Sequence, residues 1–268
     1  MRRAFVVCLS FCILLLGAQV AVGGPLDDGL SAYERGDYNM AMRLLRPLAD
    51  GGDPRARNTL GRMYELARGV DEDLKTAAHW YELAARDGDA PAQNNLAVMY
   101  TLGRGVRHDP LEAVRWYRSA AEKGYSAAQY NLGVVYDEGL GVSTDYRLAV
   151  KWYRLAAQQE LPAAQHNLAL MYTLGRGVPR NYSQALKLYR RAAANGYAPA
   201  QNNLGLMYLN GLAVGKDLML AYFWFSLAVQ QGNDEAEANR LMIVQDMSPD
   251  QLAEAHSLIR AWKGREGS

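Results

Sequence analysis

Small and apolar residues recur along this chain at helical spacing, and the whole pattern returns every 36 residues without an insertion. A-R-N-T-L-G-R-M-Y from Ala56 returns as A-Q-N-N-L-A-V-M-Y from Ala92, A-Q-Y-N-L-G-V-V-Y from Ala128, A-Q-H-N-L-A-L-M-Y from Ala164 and A-Q-N-N-L-G-L-M-Y from Ala200. Ala92, Leu96 and Met99/Tyr100 follow the i, i+4, i+7/8 spacing of one buried helical stripe. A second stripe, Ala113, Trp116/Tyr117, Ala120 and Ala121, follows the break at Gly103-Arg104-Gly105-Val106. Glycine ends a helix there because it takes the left-handed conformation without a Cβ penalty. Each unit reads as a helix, a seven-residue turn and a second helix folded back antiparallel. A fixed period of this length marks a solenoid, whose units bury their apolar faces only by stacking.

The punctuation repeats with the stripes. Asp89 caps the first helix of one unit, with Pro91 tolerated in its first turn. Second helices are capped by Asp73, Asp109, Asp145, Asn181 and Asp217, and Glu112 completes a capping box with Asp109. Alanine stands at 77, 113, 149, 185 and 221, and a glycine or alanine at 61, 97, 133, 169 and 205, so helix axes approach closely. The large rings at Trp80-Tyr81, Trp116-Tyr117, Trp152-Tyr153, Leu188-Tyr189 and Trp224-Phe225 fill the remaining space as core rather than as a ligand-stacking ladder.

The string A-x-x-N-L-G-x-x-Y, G-x-G-V, an acidic cap and A-x-x-W-Y-x-x-A-A resembles the Sel-one-like repeat family, a relative of the tetratricopeptide repeat with a longer turn. The resemblance covers residues 53–232 in five copies, 53–88, 89–124, 125–160, 161–196 and 197–232. Ala67 and Ala213 replace turn glycines, and Leu188 replaces the tryptophan. The fold it implies is an all-α, right-handed α-α solenoid superhelix of tandem 36-residue helix-turn-helix repeats with capping helices at both ends. The hand rests on the resemblance alone. The function it implies is that of a non-enzymatic adaptor or regulator in an envelope complex or signalling pathway.

End units must differ from internal ones. At the front, residues 24–52 read as a helical pair around Gly36-Asp37, with Pro47 expected to kink the second helix. At the back, residues 233–268 read as capping helices: one to Val244, a second opened by the box Ser248-Pro249-Asp250-Gln251 and ending near Trp262, then a frayed tail.

Residues 1–23 read as a secretory signal peptide: Arg2 and Arg3, the apolar run Ala4 to Leu16, then small residues with cleavage after Ala21-Val22-Gly23. A periplasmic or secreted protein follows. Left uncleaved, the same segment would anchor the chain in the inner membrane. Both cysteines, Cys8 and Cys12, fall inside it, so the exported chain has no disulfide framework. Its loss takes the net charge from +1 to −1, which gives no general attraction to nucleic acid. No other stretch spans a bilayer, so no integral membrane segment remains after cleavage.

Catalytic and metal motifs are missing from the pattern. His79, His108, His166 and His256 are scattered, without a second ligand at i+3 or i+4. No nucleophile elbow, zincin or phosphate-loop motif occurs, and the G-R-G segments read as turns. Some cysteine-rich relatives are credited with β-lactam hydrolysis, but the exported chain lacks their cysteines. No cofactor or catalytic residue is expected.

Two surfaces remain. On the first helices the positions that vary between copies share one face: Asn94 and Val98; Tyr130, Val134 and Asp137; His166 and Leu170; Asn202 and Leu206. The resemblance implies that this face lines a concave groove, suited to an extended or helical peptide of another envelope protein. Alternatively, the aliphatics merely pack between repeats. On the second helices Arg115, Lys151 and Lys187 form one basic row, and Arg118, Arg154 and Arg190 another, with Arg191 beside them. That stripe fits an anionic glycan, peptidoglycan or lipid headgroup, or else a solvated convex face interspersed with Glu112 and Glu122.

Overall fold

A computed structural model describes residues 23–266. Within them the chain is built of fourteen helices and no strand. The front pair is α1 (Pro25–Glu34) and α2 (Tyr38–Asp50). Four regular pairs follow: α3 (Pro54–Glu65) with α4 (Leu74–Arg86), α5 (Ala90–Leu102) with α6 (Pro110–Glu122), α7 (Ser126–Glu138) with α8 (Tyr146–Gln158), and α9 (Pro162–Leu174) with α10 (Tyr182–Ala194). The fifth is α11 (Ala198–Asn210) with α12 (Leu218–Val229), and α13 (Asp234–Val244) and α14 (Pro249–Glu266) close the stack. Through α13, helices pack mainly on their sequence neighbours, which is the contact pattern of a solenoid.

The repeated letters now have physical assignments. Ala56, Ala92, Ala128, Ala164 and Ala200 are fully buried, as are Ala77, Ala149, Ala185 and Ala221. Gly61 and Gly133 lie under tyrosine rings: a Cβ there would come within 2.6 Å of Tyr81 or 2.5 Å of Tyr153. The glutamine of the A-Q pair reaches back eight residues. Gln93, Gln129, Gln165 and Gln201 donate to the carbonyls of Ala85, Ala121, Ala157 and Ala193, which also accept the turn N–H groups of Gly88, Gly124, Glu160 and Gly196, so each glutamine adds a second bond at a helix C-terminus. In the first copy Arg57 replaces the glutamine and its Nε donates to Ala49 O at 2.9 Å.

Each inter-helix turn is closed by its cap residue. Asp73, Asp109, Asp145, Asn181 and Asp217 accept backbone N–H bonds inside their own helices. Their own N–H groups donate to the carbonyls of Tyr64, Tyr100, Tyr136, Tyr172 and Tyr208. This corrects the expected capping box at Asp109. Its N–H is already committed to Tyr100, so the Glu112 carboxylate turns to Arg115 instead, at 3.0 Å. The box at Ser248 is complete, with Gln251 N–H donating to Ser248 Oγ at 3.2 Å and Ser248 N–H to Gln251 Oε1 at 2.9 Å.

The register also forces left-handed backbone where glycine is missing. Ala67 (φ 53°) and Ala213 (φ 59°) keep the turn geometry of Gly103 (φ 66°) and Gly105 (φ 69°). Glu160 (φ 60°) does the same between α8 and α9, where neighbouring copies have Gly124 and Gly196.

At the ends, α2 runs through Pro47 to Asp50 as one helix. Helix α14 packs on α12, and its Trp262 ring stands edge-on to Phe223 and Trp224 at 5.9 and 5.5 Å. The tail expected to fray after Trp262 continues as helix to Glu266, with no proline to interrupt it. The segment read as a signal peptide lies, apart from Gly23, outside the described residues.

Candidate interaction surfaces

The first-helix positions form a polar ladder that ties one repeat to the next. The asparagine three residues after the buried alanine donates to the variable residue of the preceding copy: Asn95 to Asn58 Oδ1 at 3.1 Å, Asn131 to Asn94 Oδ1 at 2.9 Å, and, from the capping helix α13, Asn239 to Asn202 Oδ1 at 2.9 Å. Asn203 meets His166 Nε2 at 2.9 Å. Asn94, His166 and Asn202 are buried. Burial pushes the Tyr130 hydroxyl's pKa up, and a hydrogen bond from Asn167 opposes it.

His166 sits between two aromatic rings, 5.8 Å from Tyr189 and 5.4 Å from Tyr197. Its Nε2 faces the Asn203 amide nitrogen, and its Nδ1 lies 3.1 Å from Asn167 Oδ1, an arrangement that suits the neutral ring protonated on Nδ1. Burial lowers its pKa below the ordinary value of 6.5, against the hydrogen bond to Asn167. Asp137 is also committed, accepting from the Tyr153 hydroxyl at 3.2 Å. Burial raises its pKa, while Tyr153 and the charge of Arg176 pull it down.

Val98, Val134, Leu170 and Leu206 are half-buried and pack on the cores of the repeats they join. Beside two of them the surface is hollow. A cavity of about 240 Å³ lies between α5 and α7, lined by Val98, Leu102, Val134 and Leu140 among others. Sequence reasoning passed over Leu102 on its rim and the leucines at the same position in two other copies. Leu66, Leu102 and Leu174, each one residue before the break at the end of a first helix, are 48%, 60% and 54% exposed. The signal was present: these leucines fall after the last position of the buried stripe, where a solvated helix end has no use for an apolar side chain.

The second-helix cations are all exposed. Arg118, Arg154 and Arg190 donate to the hydroxyls of Tyr136, Tyr172 and Tyr208 on the next first helix, at 2.8, 3.4 and 2.8 Å. Arg115 pairs with Glu112, Arg191 with Glu160, and Lys151 Nζ lies 5.1 Å from the Trp152 ring centroid. Trp80 and Trp152 are buried core side chains, as the pattern implies, and Trp116 is half-buried against two core clusters. Among the described residues no cluster of His, Cys, Asp or Glu could hold a metal ion, and no helix is long and apolar enough to cross a membrane.

The Sel1 repeat pattern matches six consecutive segments, residues 17–53, 54–89, 90–125, 126–161, 162–197 and 198–233. The chain belongs to the Sel1 repeat family. The front pair α1/α2 falls in the first of these segments, so the family pattern extends ahead of the five copies legible at full length. The structure is similar to c5321 of uropathogenic Escherichia coli, described as a protective antigen displaying an SLR fold, with a TM-score of 0.76 and 34% identity over 88% of this chain. The chain spans 53% of the length of that antigen. A Sel1 repeat protein of Oxalobacter formigenes is similar over 82% of this chain and 88% of its own, with a TM-score of 0.77 and 31% identity. The immunity protein Pa5087 of Pseudomonas aeruginosa shares the fold at 18% identity over 75% of this chain and 81% of its own, with a TM-score of 0.51. No curated protein matches the chain. Sel1 repeat proteins generally act as protein-interaction modules and are typically non-catalytic.

Proposed function

We propose that this Sel1 repeat protein is an exported, non-enzymatic scaffold of the cell envelope that holds a partner protein on its first-helix face. The observation that carries the reading is the apolar hollow of about 240 Å³ between Val98 and Val134, flanked by Leu102 at 60% exposure. An exposed leucine beside a half-filled apolar depression is what an anchoring side chain of a bound peptide needs, since burial removes both surfaces from water. The polar ladder of Asn94, Tyr130, His166 and Asn202 supports the face from beneath by fixing the spacing of successive first helices. Export rests on residues 1–23, whose charged start, apolar run and small-residue end have the form of a secretory leader.

Leu102→Asp tests the face without touching the core. Partner capture from envelope extracts should fall at least tenfold, about 1.4 kcal/mol, while circular dichroism stays unchanged. Full capture by the folded variant would remove the first-helix face from consideration.

A further inference from the structure

The second helices carry a cavity whose lining departs from the repeat pattern. About 570 Å³ of open space lies between α8, α9 and α10, floored by Leu168 and Leu188 and rimmed by Arg154, Lys187, Arg190 and Arg191. That volume is in the range of cavities that take a ligand or an inserted side chain.

Comparison with the interface one repeat earlier shows why it opens here. Leu188 stands at the position of Trp152, so a large ring gives way to a shorter side chain. Gln158 stands at the position of Glu122, and Arg191 at that of Leu155. The same place thus loses an indole, loses a negative charge and gains a positive one. Arg154 and Arg190 are held by neutral groups, the hydroxyls of Tyr172 and Tyr208. Among the described residues no carboxylate pairs with either of them or with Lys187; Arg191 alone is neutralised, by Glu160. Three cations therefore surround an apolar floor without a counter-ion. In the preceding copy Lys151 lies 5.1 Å from the Trp152 ring centroid, so the place that Lys187 occupies suits a cation above an aromatic face.

We propose that this cavity receives an aromatic side chain, above all an indole, from an acidic segment of a partner protein. The incoming ring fills in trans the place that Trp152 fills within its own repeat, and the flanking carboxylates meet Arg154, Lys187 and Arg190. The inference rests on the reading of the chain as a protein-interaction scaffold, but not on the first-helix face.

The probe is a fluorescently labelled, end-blocked peptide Asp-Glu-Trp-Glu-Asp titrated into the purified protein by anisotropy. Saturable binding is expected, weakened about tenfold or more by replacing the peptide's tryptophan with alanine or its acids with lysine. Leu188→Trp, which refills the cavity from within, should weaken binding by the same factor with unchanged circular dichroism. Lys187→Glu with Arg190→Glu, at two exposed positions, should abolish it and keeps the test decisive if the tryptophan variant misfolds. Leu102→Asp should leave this binding unchanged. Undiminished binding to folded Leu188→Trp overturns the proposal, as does a naphthalene sulfonate that occupies the cavity when the peptide does not. Loss of peptide binding in Leu102→Asp would also overturn it, moving the peptide to the other face and leaving the scaffold reading intact.

Discussion

The hydroxyl of Tyr153 donates to the carboxylate of Asp137, 3.2 Å away and sixteen residues earlier. The same offset joins Tyr81 to Glu65 at 2.7 Å, Tyr117 to Thr101 at 3.4 Å and Tyr189 to Thr173 at 3.5 Å. In the fifth copy the ring is Phe225 and the residue sixteen before it is Leu209. Where the hydroxyl is lost, the polar partner is lost with it. Asp137 is thus the acceptor of a core tyrosine before it is anything else.

Tyr153→Phe should therefore destabilise the protein by about 1–2 kcal/mol, because it leaves a half-buried carboxylate without its donor. Adding Asp137→Leu, which reproduces the Phe225 and Leu209 pair, should recover most of that loss. Urea denaturation of the two single variants and the double variant gives the coupling. Additive losses would show that the pair is not a unit.

His166 sets a pH dependence. Its folded pKa lies below the ordinary 6.5 because burial disfavours the charged ring. The unfolded chain then binds more protons in the window below about 6.5, so stability falls as pH drops through it and is flat above. His166→Asn keeps the pairing with Asn203 on the pattern of Asn58, Asn94 and Asn202 and should flatten that slope. Denaturation midpoints from pH 7.5 to 5 compare the two; parallel curves would assign the slope to other groups.

Left-handed alanines are sites for stabilisation. Ala67 and Ala213 hold φ values of 53° and 59° that glycine adopts without strain. Ala67→Gly and Ala213→Gly should each raise stability by about 0.5–1 kcal/mol, whereas Gly177→Ala, whose Cβ would stand 2.2 Å from Tyr146 O, should lower it sharply. Thermal unfolding reads both directions.

Trp152 is 8% exposed, and Trp152→Ala should cost roughly 3–5 kcal/mol. Near-wild-type melting would place the ring outside the core, contrary to its packing.

The fold was legible because periodicity, caps and glycines all repeat in phase, and each acts locally. Helix ends at Asp89, Gly103 and Asp109 follow from residue chemistry within one turn of the backbone. The candidate surface was harder to read. Asn94, His166 and Asn202 vary between copies, yet their partners stand 37 residues on, a pairing fixed by the offset between stacked helices and not by any local preference. The donor of the next repeat is asparagine each time, so these positions vary only among side chains that can meet its amide: Asn, Tyr or His. Leu188 shows the same gap: as one letter it is a minor departure from the pattern, and its effect emerges only when Gln158 and Arg191 stand beside it in space.

Photo-crosslinking at position 102 in living cells, with mass spectrometry of the adducts, tests the proposed scaffold role most directly. A photoreactive residue in place of Leu102 should yield one dominant protein adduct, which Val98→Asp weakens and which is missing when the same residue replaces the exposed Arg147 on α8. No protein adduct at position 102, or the same adducts at both positions, would contradict a partner held on the first-helix face.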